Sequence, residues 1–172
     1  MNEKNFEMLA PVPLEGRDIE VTVNFNLKKI FPDNYLKLLN KYKNSIFFNK
    51  GAKFKAPEDI PCISTGYVTV ILLYGVSDDS NGLNYRINSY SSILPSGFYP
   101  LGDCSGGNQI CIKESTGEIF FWWHESISDD KSFYFLSNSV DAFINGLIPD
   151  ENDENSDEAI QKIVSSGTWL NF

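Results

Sequence analysis

The chain has 172 residues, 42% of them hydrophobic and 14% aromatic, enough for one good core and too short for two comfortable ones, so a single domain spanning 1–172 is expected. Lys plus Arg is 14 against 23 for Asp plus Glu, a net −9 with the one histidine neutral, which disfavours nucleic acid and other polyanions as partners. Six of the acids, Asp150, Glu151, Asp153, Glu154, Asp157 and Glu158, share one stretch, and without them the rest of the chain carries only −3.

In chain order, Met1 to Glu20 reads as irregular because Pro11, Pro13 and Gly16 break any helix, and Ile19 to Phe25 alternates like an edge strand. A helix opens at Phe31-Pro32-Asp33, where a proline without an N–H suits the first turn, and Tyr35, Leu38, Leu39 and Tyr42 form one apolar face. The texture then changes to short strands separated by turn residues: Thr69 to Tyr74, Leu83 to Ile87, Phe98 to Leu101, Gln109 to Lys113 and Ile119 to Trp123. Glu114-Ser115-Thr116-Gly117 makes a hairpin of the last two. Alternation puts Ile110 and Ile112 on one face of it, Ile119, Phe121 and Trp123 on one face of its partner strand, and Phe120 and Trp122 on the other; a strand apolar on both sides needs cover on both. Ser139 or Asn138 caps a helix carrying Val140, Phe143, Ile144 and Leu147. A further helix is expected from an Asn155/Glu158 capping box through Ile160, Ile163 and Val164 to Gly167. Helix, antiparallel meander and closing helices make an α+β domain.

Few residues offer chemistry. The glycine-dense segment Leu94 to Ile112 reads as a sharp turn between strands; the alternative, a phosphate cradle, lacks a following lysine or helix and carries a repelling Asp103. Cys104, Cys111, Asp103 and His124 are the only ingredients for a cysteine-dependent hydrolase, but a cysteine between Ile110 and Ile112 reads as buried and inert. One histidine with Cys62, Cys104 and Cys111 scattered has no metal-ligand spacing and no CxxC, so neither metal nor cofactor is expected, and a reducing compartment fits. Met1 to Ala10 shows no basic stretch leading into an apolar run, and the longest apolar run, Val70 to Tyr74, is strand-sized, so the expectation is cytoplasmic with no membrane contact. Asp78 with Asp79, Asp129 with Asp130, and the run holding Asp150, Glu151, Asp153 and Glu154 lie in expected loops; they are either solvated or the rim that meets a basic protein partner.

Three ordered blocks resemble the SUKH superfamily (Smi/Knr-like). They are Phe31-Pro32-Asp33-Asn34-Tyr35 opening a helix; Tyr99-Pro100-Leu101-Gly102-Asp103 followed by Gly106-Gly107-Asn108-Gln109-Ile110-Cys111-Ile112; and Gly117-Glu118-Ile119-Phe120-Phe121-Trp122-Trp123-His124-Glu125. The likeness covers a core of about 31–147 and leaves an individual N-terminal segment 1–30 and an acidic C-terminal extension 148–172. The family's helix ahead of the first block is not visible in the sequence. The resemblance implies a single-domain α+β fold with an antiparallel or mixed sheet flanked by helices, in which Pro32, Tyr35, Pro100, Gly102, Asp103, Gly106, Gly107, Asn108, Gly117, Trp122 and His124 are structural. It also implies binding without catalysis: an immunity protein of a polymorphic-toxin or contact-dependent-inhibition system, monomeric or weakly dimeric, neutralising a cognate toxin domain of nuclease type. The alternative within the superfamily is a regulatory scaffold of the cell-wall-regulator kind.

Overall fold

The computed structural model describes residues 3–14, 25–77, 79–127 and 131–150. Their order is α1 (Glu3–Glu7), β1 (Pro11–Pro13), α2 (Phe25–Ile30), α3 (Asp33–Tyr42), β2 (Ile46–Phe48), β3 (Lys53–Lys55), β4 (Tyr67–Leu73), α4 (Leu83–Tyr90), β5 (Phe98–Cys104), β6 (Gln109–Lys113), β7 (Ile119–Trp122), β8 (Phe133–Ser137), α5 (Val140–Gly146) and β9 (Leu147–Ile148).

The β6–β7 hairpin forms as its sequence requires: Ile110 pairs with Phe121 and Ile112 with Ile119, across a turn in which Gly117 holds a positive φ. Around it the strands run β1-β2-β4-β5-β6-β7-β8, every neighbour antiparallel, while β3 joins the lower part of β4 and carries β9 on its other side. The two long strands β4 and β5 pair through a register shift between Val70 and Leu72, and β5 meets β6 through another between Pro100 and Gly102. Such bulges bend a strand and re-aim the side chains that follow. Here they come just ahead of Asp103.

The alternation in the hairpin separates two apolar bodies. Ile110, Ile112, Ile119 and Phe121 belong to the main core with Phe6 of α1, Leu27 of α2, Tyr35 and Leu39 of α3, and Phe143 and Ile144 of α5, and Trp123 packs partly against it. Cys111 and Trp122 look the other way and meet Tyr90 of α4 and Leu94. The second face is thus covered in part, by α4 and Leu94 over Cys111 and Trp122, while Phe98, Phe120, Phe133 and Phe135 on it stay half-buried. α3 starts after Pro32, whose extended backbone (φ −68°, ψ 150°) leaves its carbonyl free to accept from the N–H groups of Tyr35 and Leu36. α5 is capped by Ser139, whose hydroxyl accepts from the Ala142 N–H at 3.1 Å. Asn34 ties the two helices by donating to the Asp141 carboxylate and also accepts from the Tyr35 N–H.

Three sequence expectations are corrected. Leu83 to Ile87 is not a strand but the first part of α4: its buried residues are Leu83, Arg86 and Tyr90, at i, i+3 and i+7, so the arginine belongs to the inner face and the apparent alternation was an accident of an exposed Tyr85. The N-terminal region is not irregular throughout, since α1 buries Phe6 and β1 pairs with β2. A helix does precede Phe31-Pro32: α2 begins at Phe25, inside the segment read as an edge strand. The rest of that segment, Ile19 to Asn24, and the helix expected over Asn155 to Gly167 lie outside the described residues.

Among the described residues, both ends of the main sheet path have donors removed or taken. β1 presents Pro11 and Pro13, which have no N–H to offer. On β8 the outward Phe135 N–H is taken by the Glu58 carboxylate at 2.7 Å.

Candidate functional site

The bulge at Pro100/Gly102 and the turn after Cys104 place the polar residues of the second sequence block side by side. The turn Ser105–Gly107 is a single 3-10 turn in which Gly106 and Gly107 have φ of +77° and +78°, a left-handed pair that side chains oppose. A Cβ on Gly107 would also stand 3.4 Å from the His124 ring. Asn108 closes the turn: its Nδ2 donates to the Ser105 carbonyl at 2.9 Å, and its Oδ1 accepts from the His124 backbone N–H at 3.2 Å and lies 3.1 Å from His124 Nδ1. The histidine is a brace between this turn and the end of β7.

Beneath the turn lies a buried polar cluster. Gln109, 1% exposed, donates from Nε2 to Asp103 Oδ1 at 2.8 Å and to the Asn108 carbonyl at 3.0 Å, and its Oε1 accepts from the Tyr74 hydroxyl at 2.5 Å. Arg86 reaches in from α4, its guanidinium 5.1 Å from the Tyr74 ring centroid and its Nη2 donating to Asn81 Oδ1 at 2.8 Å. Burial raises the Asp103 carboxyl above its usual 3.8, opposed by the Arg86 charge, the Gln109 hydrogen bond and the Cys104 backbone. Burial, and then the nearby Asp103, push the Tyr90 phenol up to about 12. Burying a guanidinium and a carboxylate is costly, and Arg86 Nε is left without a hydrogen-bond partner, so its link to the cluster runs through Asn81 and the Tyr74 ring.

These residues do not assemble a nucleophile. Cys104 and Cys111 are both fully buried, and burial pushes their thiols up, away from the thiolate. Asp103 is engaged by Gln109 and His124 by Asn108, so no relay links them to a cysteine. Among the described residues no group of three or more His, Cys, Asp or Glu side chains is arranged to hold a metal ion. Beside the turn, under the loop from Ala56 to Gly66, is an open cleft of about 210 Å³ lined by Cys62, Thr65, Tyr67, Cys104 and Asn108, among others. It is smaller than a typical ligand pocket.

Of the acidic residues read as a partner-facing rim, Asp79 accepts the Asn81 N–H at 2.8 Å in the loop ahead of α4. Asp150 sits in an ion pair with Lys53 at 2.8 Å where the chain leaves β9. Asp78, Asp129, Asp130, Glu151, Asp153 and Glu154 lie outside the described residues. Sequence reasoning missed Tyr74, Arg86, Tyr90 and Gln109 as members of one cluster. One signal was present: Arg86 is the only charged residue in 80–102.

The cluster carries a pH signature. A carboxyl whose folded value is raised holds its proton more readily in the folded chain, so its contribution to stability grows as pH falls from above that value towards 3.8. Asp103→Asn should abolish that growth: the difference in urea midpoint between wild type and variant, followed from pH 7 to pH 4, should shift in favour of wild type on acidification. A pH-independent difference would show the carboxyl to be solvated.

The model of the SMI1 / KNR4 family (SUKH-1) matches residues 25–146, the stretch from α2 to the end of α5 that contains the whole cluster. The chain is also similar to the SPbeta prophage-derived uncharacterized protein YokK of Bacillus subtilis (strain 168), 30% identical over 161 residues that cover 83% of this chain and 84% of that protein.

Proposed function

The chain belongs to the SMI1/KNR4 (SUKH-1) family, and from that premise we propose that it is a non-enzymatic cytoplasmic binding module that neutralises a cognate bacterial toxin by covering it. The observation that carries this reading is the direction in which the family-type polar residues point. Gln109 is spent on Asp103 and on Tyr74 inside the fold, and burial pushes the Cys104 and Cys111 thiols up, away from the thiolate. Function is left to the outer surface, as in a protein that works by contact. No described helix is long and apolar enough to cross a membrane. The acidic excess of the sequence favours a basic partner, and a nuclease that grips phosphates presents the lysines and arginines such a partner needs. The acidic rim of Asp78, Asp79, Asp129, Asp130 and the run from Asp150 to Glu154 accelerates encounter with it.

The test is co-expression with the toxin domain encoded in the neighbouring reading frame, followed by association kinetics from low to physiological salt. Wild type should protect cells and bind fast in a salt-sensitive way. Glu151→Gln, Asp153→Asn and Glu154→Gln together should slow association about tenfold at low salt while changing dissociation little. Failure of wild type to protect rejects the toxin reading. Equal protection with an unchanged, salt-independent on-rate removes the acidic run from the contact.

A further inference from the structure

Charge is distributed over this surface in a way that marks one face. Charged residues make up 22% of the chain, yet 80–102 contains Arg86 alone, and Arg86 is buried. The solvent side of α4 and the turn after it therefore carries no charge and exposes Tyr85 and Ile93, at 52% and 53%. Next to it, on the side of the sheet away from the main core, four half-buried phenylalanines touch ring to ring. Phe98 lies 4.3 Å from Phe133 and 5.5 Å from Phe120, and Phe120 lies 5.9 Å from Phe135. Phe98 and Phe133 pack on the same small cluster, with Tyr90 and Leu94, that seats α4, so helix and aromatic platform are continuous.

Depletion of charge combined with an aromatic centre is the composition of a protein interface core, not of ordinary surface. The geometry points to this face, α4 together with Phe98, Phe120, Phe133 and Phe135, as the docking surface for a basic protein partner that presents apolar side chains to it. The occupant follows from charge. A second copy of a chain at −9 is repelled at long range, whereas a basic partner is attracted. The border of the face is mixed, with carboxylates Glu58 at Phe135 and Glu118 two residues before Phe120 against Lys113 over Phe98 and Lys131 two residues before Phe133, so the choice of occupant rests on the charge of the whole chain. Because Glu58 already holds the outward Phe135 N–H, the partner packs on the face and does not extend the β8 edge.

This inference rests on the toxin-binding reading and is tested so that the two can fail separately. Tyr85→Ser with Ile93→Ser removes side chains already half in solvent, so folding should be intact by circular dichroism and melting temperature. Met8→Ser, in the turn after α1 and 53% exposed, is the matched control. Titrated against the purified toxin domain of the neighbouring reading frame, the double variant should lose roughly 100-fold in affinity and the control less than about threefold. If wild type binds and the double variant binds equally well, the docking face is wrong and the toxin reading survives. If wild type does not bind, the toxin reading fails and takes the face with it. Sedimentation velocity of the chain alone should show a monomer; a dimer that Tyr85→Ser with Ile93→Ser dissolves would make a second copy the occupant and overturn the basic partner.

Discussion

Phe121→Ala should cost about 3–5 kcal/mol, the cost of truncating a fully buried phenylalanine and leaving a cavity behind, and should lower the melting temperature by roughly 10 °C for a chain of this size. Phe121 is 1% exposed in the middle of β7, paired with Ile110 on one side and Tyr134 on the other, and it faces the main core. Its paired neighbours are held by the sheet ladder, which limits how far the site can collapse to fill the space. The neighbouring residue provides the control. Phe120 points to the opposite face, is only half-buried, and makes edge-to-face contacts with Phe98 and Phe135. Phe120→Ala should therefore cost about 1–2 kcal/mol, the worth of those contacts. Urea denaturation of both variants reads the difference directly, and equal losses would mean that the two faces of β7 are not divided as described.

Gly102→Val should destabilise by about 3 kcal/mol or more, for a reason independent of backbone dihedrals. A Cβ at Gly102 would stand 2.5 Å from the Leu72 carbonyl oxygen and 3.1 Å from Leu73 Cδ2. The first is a backbone atom in a central strand and cannot rotate away, so relief requires β4 and β5 to separate, and overpacking of this kind falls at the upper end of its usual range. Separation would also move Asp103, the next residue, off Gln109. The variant should thus lose the pH signature described for Asp103 along with its stability, whereas Phe121→Ala should lose stability and keep the signature. Chemical denaturation at pH 7 and pH 4 distinguishes the two, and a Gly102→Val protein of wild-type stability would show that the strands do not approach this closely.

Much of the architecture was legible because it is encoded locally. α3 and α5 carry apolar residues at helical spacing with a start signal at Pro32 and Ser139, and the β6–β7 hairpin combines alternation with a turn glycine. These elements need only their own residues and a surface to pack on. That Cys111 faces away from Ile110 and Ile112 followed from the same alternation, whereas the cover that buries it comes from Tyr90, Leu94 and Trp122.

What local pattern failed to reveal depended on partners distant in sequence. α4 was misread because its inner face carries Arg86, and an arginine is scored as exposed unless the groups that receive it are known. Those groups are Tyr74, just past the end of β4, and Asn81, in the loop ahead of α4, with the Asp103 carboxylate of β5 nearby as opposing charge. The short strands β1, β3 and β9, of two or three residues each, contain too little pattern to be seen and exist because a neighbouring strand supplies the ladder. The composition, the face alternation of the hairpin and the family likeness came from the sequence by itself, through periodicity and turn chemistry that each segment carries alone. Only the tertiary structure decided that Asp103, Gln109, Tyr74 and Arg86 form one buried cluster, and that the charge-free helix and the aromatic platform lie in one face. Those juxtapositions are made by β-bulges and by a helix folding back across strands, and no spacing within a single segment records them.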